Sequence, residues 1–183
     1  QGMIMGEGAG AILLERRDAA LARGSTIYGE ITGFGASTVI DDDGTPRIDK
    51  ALENVIRQAL ETAGMEPGEV GHIHAHGLSC PVTDVQEATA IQSVFGDRSS
   101  PIPVVAAKSS FGNLGAGSGT VELISSLLAF KHDRLFPVLN YQTPDPDCPL
   151  NVVVTGDISP GDSVLNLSVS PQAQASSLLI KRC

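Results

Sequence analysis

The sequence predicts an α/β domain in which helices are layered on a mixed β-sheet. Strand-like and helix-like segments alternate through most of the chain, and several strand-like segments follow one another near its end. Alternation favours parallel strands joined by helices, and the closing run of strands favours a mixed sheet. The chain has 183 residues, which is enough for one domain with a sizeable core, so we assign residues 1–183 to a single domain.

The clearest predicted helix covers Ile48–Ala63, where apolar residues recur at three- and four-residue spacing before Gly64. Asp84 is predicted to cap a further helix that continues to Val94. Helices are predicted over residues 16–23, 48–63, 84–94 and 120–130.

Short apolar or alternating runs predict the strands. They lie at residues 11–14, 26–33, 70–75, 102–107, 135–139, 151–155, 164–169 and 177–180. Asp41–Pro46 is predicted to be a turn or loop, and Lys108–Gly119 to be a glycine-rich loop between a strand and a helix. The amino terminus enters a glycine-rich segment at once, so we expect that a longer chain precedes it.

Composition narrows the possible partners. The net charge is −9, which argues against nucleic acid and anionic membranes as partners. No apolar run approaches the ~18–20 residues that span a bilayer. The three cysteines, Cys80, Cys148 and Cys183, form no disulfide pattern, so we expect a reducing cytoplasmic location.

Three histidines alternate along one predicted strand: His72, His74 and His76. His76 ends the strand, where ligand sites gather in α/β sheets, and an imidazole there can exchange protons near neutral pH. A buried histidine bonded to the backbone is the alternative. The three imidazoles share one face and could bind zinc, although neighbours on that face lie ~6.6 Å apart. The alternative to zinc binding is that His72 and His74 are surface residues of the strand with no binding role.

Two further features admit chemical interpretations. Gly112–Gly119 lets a ligand or another chain approach the backbone closely, but its spacing does not give a dinucleotide fingerprint. Cys80 lies four residues after His76 and is either a thiol nucleophile or a small apolar filler.

Taken together, these segments resemble the β-ketoacyl synthases of fatty-acid and polyketide synthesis. The resemblance is carried by Met5–Gly10, by Ala75-His76-Gly77 through Asp84, by Lys108-Ser109 through Gly117, and by Leu139–Pro146. Several motifs in the right order are more specific than any one of them. The resemblance implies half of a thiolase-like fold, namely the C-terminal half, which needs no cofactor and usually works as a dimer.

The resemblance also implies a mechanism. In this family, a cysteine in the first half takes an acyl group from a carrier-protein or coenzyme A thioester, and two histidines assist decarboxylation of a malonyl thioester. His76 resembles the first histidine, and Lys108 paired with Glu122 would support the site electrostatically. Asn113 stands where the second histidine is expected, and can donate a hydrogen bond but not shuttle a proton.

The chain departs from the family pattern elsewhere too. The half that bears the nucleophile is absent. Leu78 and Cys80 replace two threonines that resemble the hydroxyls binding the pantetheine arm. Asn166–Gln174 replaces a flexible glycine-rich loop, and Pro171 stiffens it.

Three functions therefore remain open. The first is a condensing enzyme (an acyltransferase) completed by an N-terminal half and incomplete as this chain alone. The second is a non-catalytic partner that resembles a chain-length factor, in a homo- or heterodimer. The third is a metal-binding module built on His72, His74 and His76.

Overall fold

The structure is a computed structural model that describes residues 2–183; Gln1 lies outside that range. A six-stranded mixed sheet carries helices on both faces, as predicted. The helices are α1 (Arg17–Ala22), α2 (Ile48–Ala63), α3 (Pro81–Phe95), α4 (Lys108–Phe111) and α5 (Ser118–His132). The strands are β1 (Glu30–Thr38), β2 (His72–His74), β3 (Pro103–Val105), β4 (Asn151–Val152), β5 (Ser163–Val169) and β6 (Gln174–Lys181). Single 3₁₀ turns lie at Pro67–Glu69 and Gly115–Gly117.

The strand order is β1-β6-β5-β2-β3-β4. Strands β5, β2, β3 and β4 are mutually parallel, whereas β6 pairs antiparallel with β5 and with β1. The parallel strands therefore end at one edge of the sheet, which is where ligand sites gather in such folds.

Helices α2 and α3 cover one face of the sheet and α5 covers the other. The larger core joins α2 residues such as Leu52 and Ile56 to Ile73, Leu165 and Leu179 of the sheet. On the opposite face, α5 contributes Leu123 and Phe130 to a second cluster with Val164 and Ile180. Helix α2 ends at Gly64, which adopts the left-handed conformation with φ 60° that commonly terminates helices.

Strand β1 begins later than predicted, at Glu30 rather than Thr26. Its partner β6 ends at Lys181, opposite Glu30, so residues 26–29 have no neighbouring strand there. The strand continues to Thr38 through Gly33 and Gly35, where the backbone of α2 lies so close that only glycine fits. An added Cβ would lie 2.1 Å from the Ala59 carbonyl oxygen at Gly33 and 2.4 Å from the Val55 carbonyl oxygen at Gly35.

Two predicted strands are wrong. Residues 11–14 form no strand, because apolar composition without a neighbouring strand makes no ladder, and Leu13 and Leu14 are 81% and 69% exposed. Residues 135–139 are also irregular. Leu135 and Val138 donate single hydrogen bonds to the Ile158 and Val153 carbonyls, and Pro137 between them has no N–H to continue a ladder.

The predicted start of α3 is wrong as well. The helix begins at Pro81, with Cys80 as its N-cap residue, because proline is pre-organised for the first helical position. Asp84 lies inside the first turn, and its carboxylate accepts the Leu78 N–H at 3.2 Å. The predicted loop at Lys108–Gly119 includes the short helix α4 and a 3₁₀ turn. Within residues 2–183, no helix is both long and apolar enough to cross a bilayer.

Candidate active site

Three of the four predicted catalytic residues meet at the edge where the parallel strands end. His76 follows β2 by two residues, and Lys108 follows the neighbouring strand β3 by three. Glu122 lies in the second turn of α5, which crosses the same sheet face. All three side chains are buried, at 8%, 8% and 0% exposure respectively.

Lys108 connects the other two groups. Its Nζ forms a buried ion pair with Glu122 Oε1, donates to the His76 carbonyl oxygen at 2.6 Å, and lies 3.3 Å from His76 Nδ1. Burial raises the pKa of Glu122, and the charge and hydrogen bond of Lys108 oppose that rise. The lysine therefore holds the histidine and the glutamate in one rigid unit.

The lysine also fixes the state of the His76 imidazole. An ammonium group has only N–H donors, so Nδ1 must be the acceptor and the ring proton must lie on Nε2. Burial, followed by the positive charge of Lys108, lowers the pKa of His76 to about 3. At neutral pH the ring is thus an uncharged hydrogen-bond donor through Nε2.

Asn113 lies in the loop between α4 and α5 and is partly buried. Its Oδ1 accepts hydrogen bonds from the Gly115 N–H at 3.2 Å and from Ser118 Oγ at 3.1 Å. Because a backbone N–H can only donate, the atom facing Gly115 must be the amide oxygen. The Nδ2 group is therefore left as a donor on the other side, 2.9 Å from Met3 Sδ.

Sequence reasoning missed Glu87, which is buried at 2% exposure in α3. Its two carboxylate oxygens accept the N–H groups of His76 at 2.7 Å and of Gly77 at 2.9 Å, so Glu87 shapes the turn that presents the imidazole. Burial raises the pKa of Glu87 to about 7, against the lowering effect of the two N–H donors. Its position three residues after Asp84, on the same helix face, was the available signal.

Of the two residues predicted to contact substrate, Leu78 lines the cleft beside this unit, whereas Cys80 is not among the described residues that line it. Leu78 is partly buried and lines a cleft of about 450 Å³, together with Asp84, Glu87, Lys108, Asn113 and Cys148. Cys80 is partly exposed at the start of α3. Hydrogen bonds from Thr83 in the first helical turn lower the pKa of its thiol.

The glycine-rich N-terminal segment lies along the Lys108 loop. Asn113 donates its N–H to the Ile4 carbonyl at 2.8 Å, and Gly6 donates to the Asn113 carbonyl at 3.0 Å. A Cβ at Gly6 would lie 2.0 Å from the Phe111 carbonyl oxygen, so this close approach requires glycine. The segment thus supports the loop.

His72 and His74 are not surface residues of the strand, because both are fully buried. His72 Nδ1 lies 2.8 Å from the Pro160 carbonyl oxygen, and His74 Nδ1 lies 2.8 Å from Ser126 Oγ. Among residues 2–183, no three histidine, cysteine, aspartate or glutamate side chains come together as a metal site. The geometry therefore gives the zinc hypothesis no support.

The burial of His72 predicts an acid-sensitive contribution to stability. Burial lowers its pKa to about 4, so between pH 6.5 and 4 the unfolded chain binds a proton that the folded chain does not. Stability from this residue is complete above pH 6.5 and falls by about 1.4 kcal/mol per pH unit below it, about 3 kcal/mol in all. His72→Asn keeps a donor for Pro160 but does not titrate, so urea unfolding should depend less on pH.

The exposed His132 provides the matched control for this measurement. His132→Asn should leave the pH dependence of unfolding as it is in the unchanged protein. Equal pH dependence of the unchanged protein and His72→Asn would contradict the burial argument.

A hairpin joins β5 to β6 at the segment where the resemblance predicts the loss of a flexible loop. Ser170 donates its N–H to the Gln174 carbonyl at 2.9 Å, and its hydroxyl accepts the N–H groups of Gln172 and Gln174. Ala173 closes the turn with φ 57°. The segment is a tight, internally bonded turn.

A buried Lys–Glu–His unit thus lies at the strand ends of a mixed sheet, and Asn113 lines the same cleft as Lys108. The chain belongs to the β-ketoacyl synthase family: the family model described as "Beta-ketoacyl synthase, C-terminal domain" matches residues 28–142. This confirms the resemblance and the thiolase-like fold.

Curated relatives and solved structures agree with this assignment. The chain is 38% identical to the 3-oxoacyl-[acyl-carrier-protein] synthase 2 of Synechocystis over 83% of its length, and 37% identical to that of Staphylococcus aureus. It spans 37–38% of the length of these relatives. The solved "ishigamide ketosynthase/chain length factor" covers the whole chain at 34% identity and a TM-score of 0.91, with 45% of its own chain matched. A "type II PKS acyl-carrier protein in complex with its ketosynthase" covers 92% at 30% identity and a TM-score of 0.84, with 42% matched.

Proposed function

We propose that this chain is the C-terminal half of a condensing enzyme that decarboxylates a malonyl thioester and joins the product to an acyl group. The observation that carries the proposal is the contact of Lys108 with His76, which leaves the Nε2–H of an uncharged imidazole as a donor. Such a donor stabilises negative charge on a thioester oxygen without giving up its proton.

The proposed reaction balances as follows. The bond between the malonyl carboxylate and its α-carbon breaks, CO₂ leaves, and the electron pair becomes a thioester enolate. His76 Nε2–H and Asn113 Nδ2–H donate to the enolate oxygen. The α-carbon then attacks an acyl thioester on a cysteine, and the cysteine thiolate leaves. Lys108 and Glu122 hold His76 in place, and the cleft of about 450 Å³ that Leu78 lines is proposed to admit part of the thioester arm.

The nucleophilic cysteine is proposed to come from an N-terminal half that completes the protein. The relatives are more than twice as long as this chain, as the matched fractions imply. A second cavity of about 780 Å³ lies between residues 11–31 and α5 and has an apolar rim that includes Leu13, Leu14 and Leu128. Such a rim favours a covering partner. Below, "the full-length protein" means both halves together.

The partners follow from the same chemistry. We propose that the acyl and malonyl groups arrive as carrier-protein or coenzyme A thioesters, in the cytoplasm, and that the full-length protein works as a homo- or heterodimer. The basic residues Lys131 and Arg134 lie at the end of α5 away from Ser118, while Lys108 and Glu122 lie near its start. Because the proposed site lies near the start of α5, a carrier is expected to approach from the strand-end edge of the sheet, away from Lys131 and Arg134.

Asn113→Asp tests the proposed donor. Aspartate keeps both acceptor contacts, to Gly115 and Ser118, and loses only the N–H donor while adding a negative charge. We expect CO₂ release from malonyl thioester by the full-length protein to fall about 10²–10³-fold, as for other oxyanion donors. Asn140→Asp is the matched control, because Asn140 lines the same cleft, and it should change the rate less than about threefold. Equal rates for the two variants would contradict the role of Asn113.

A second candidate is a non-catalytic partner subunit that resembles a chain-length factor. Two observations favour it: the rigid hairpin at Ser170–Gln174 and the fit to the ketosynthase/chain length factor structure. If the unchanged full-length protein releases no CO₂ but restores condensation by a synthase that co-purifies with it, this candidate replaces the first.

A further inference from the structure

Both ring nitrogens of His74 are engaged, although this residue lies outside the proposed chemistry. The side chain is fully buried on β2, two residues before His76. Its Nδ1 lies 2.8 Å from Ser126 Oγ, and its Nε2 lies 3.2 Å from the backbone N of Ala107. His72, on the same face, uses only one nitrogen, and its Nε2 has no partner within residues 2–183.

The contacts fix the tautomer of His74. The Ala107 N–H can only donate, so Nε2 must carry the lone pair and the ring proton must lie on Nδ1. Nδ1–H then donates to the hydroxyl oxygen of Ser126. Burial, with the nearby His72 and Lys108, keeps the pKa of His74 well below 6.5, so the ring is uncharged and can serve as acceptor and donor together.

The two partners of His74 belong to the elements that carry the buried ion pair. Ala107 immediately precedes Lys108 and caps α4, and Ser126 lies one helical turn after Glu122 in α5. His74 therefore ties β2, which presents His76, to the backbones that carry Lys108 and Glu122. We propose that His74 is a positioning residue: its Nε2 sets the placement of Lys108 beside His76 through the Ala107 N–H, and its bond to Ser126 joins the ring to α5.

The imidazole suits this role better than other side chains. It presents a donor and an acceptor on opposite sides of one rigid ring, which reach two elements at once. A filler residue would need neither contact, and loss of either contact would leave a buried polar group unpaired. The effect of His74 on turnover rests on the proposed function, whereas its effect on the geometry of the ion pair does not.

Two amide substitutions separate the two contacts. His74→Gln places an oxygen near the position of Nε2 and keeps the acceptor for Ala107, while losing the donor to Ser126. His74→Asn places an N–H near the position of Nδ1 and keeps the donor to Ser126, while losing the acceptor for Ala107. Each variant loses one hydrogen bond and leaves Lys108, Glu122 and His76 unsubstituted, so a general loss of packing should affect both alike.

The readout is the pH titration of His76, followed in the full-length protein by NMR of histidine labelled with 13C at Cε1. The His76 signal is assigned as the one that disappears in His76→Asn. In His74→Asn, Ala107 is released and Lys108 moves away from His76, so His76 should titrate at a higher pH than in the unchanged protein. In His74→Gln, His76 should titrate as it does in the unchanged protein. CO₂ release should fall about tenfold in His74→Asn only, which corresponds to roughly 1.4 kcal/mol. Equal titration of His76 in both variants would overturn the proposal.

A second measurement needs no substitution. The 15N shifts of the His74 ring in the unchanged protein should report a proton on Nδ1. A proton on Nε2 would overturn the proposal even if neither variant folds, because Ala107 would then have no acceptor. If the unchanged protein releases no CO₂, the proposed function fails, while the titration and the tautomer still decide the role of His74.

Discussion

Lys108→Met is expected to lower the free energy of unfolding of the full-length protein by about 3–5 kcal/mol, the usual cost of removing one partner of a buried ion pair. The reason is that Glu122 is fully buried and would lose Lys108, its one charged partner among residues 2–183. Its second oxygen, Oε2, already has no hydrogen-bond partner within residues 2–183, so the carboxylate has no other nearby compensation. Urea unfolding at neutral pH measures the change.

Two further variants make this prediction specific. Lys50→Met breaks the exposed pair with Glu53 (3.3 Å) and should cost less than about 1 kcal/mol. The double variant Lys108→Met/Glu122→Met removes both buried charges and should recover part of the loss. If Lys108→Met and Lys50→Met cost the same, Lys108 and Glu122 are not a buried pair in solution.

His76→Asn is expected to lower the rate of condensation by the full-length protein about 10²–10³-fold. Asparagine can keep an acceptor for Lys108 near the position of Nδ1, but it cannot reach as far as Nε2. The variant therefore removes the proposed donor to the enolate while sparing the lysine contact. Formation of the 3-oxoacyl product measures the rate, and His132→Asn, at an exposed histidine, should leave it unchanged.

Sequence patterns predicted the parts of the fold that depend on local periodicity. The helix at Ile48–Ala63 has the predicted bounds, because its apolar spacing and the terminating Gly64 are local signals. The strand predicted at residues 11–14 is not formed, since an apolar run becomes a strand only where a neighbouring strand pairs with it. Pro81 set the start of α3 in place of Asp84, because proline at the first helical position outweighed the capping preference of aspartate.

The candidate site was predictable in part. Motif order singled out His76, Lys108, Glu122 and Asn113, and the fold brings the first three together at one sheet edge. Their roles in catalysis remain predictions. Glu87 was missed because its one signal, a position three residues after Asp84 on the same helix face, does not show that its carboxylate accepts the backbone N–H groups of the His76 turn.

The burial of His72 and His74 could not be read from alternation alone. Alternation places both side chains on one face of a strand, but it does not say whether a helix covers that face. Helix α5 does cover it, with Phe130 against the His72 ring and Ser126 bonded to His74. The hydrogen-bond partners of buried polar side chains are decided by tertiary packing, which the alternation pattern does not show.

The proposed action of His76 Nε2–H on the malonyl thioester can be tested by separating two half-reactions of the full-length protein. CO₂ release from malonyl thioester and transfer of an acyl group from its thioester to the nucleophile are measured for the unchanged protein and for His76→Asn. We expect CO₂ release to fall at least about 100-fold in the variant, while acyl transfer stays within about tenfold. CO₂ release by His76→Asn at the rate of the unchanged protein would contradict this proposed action.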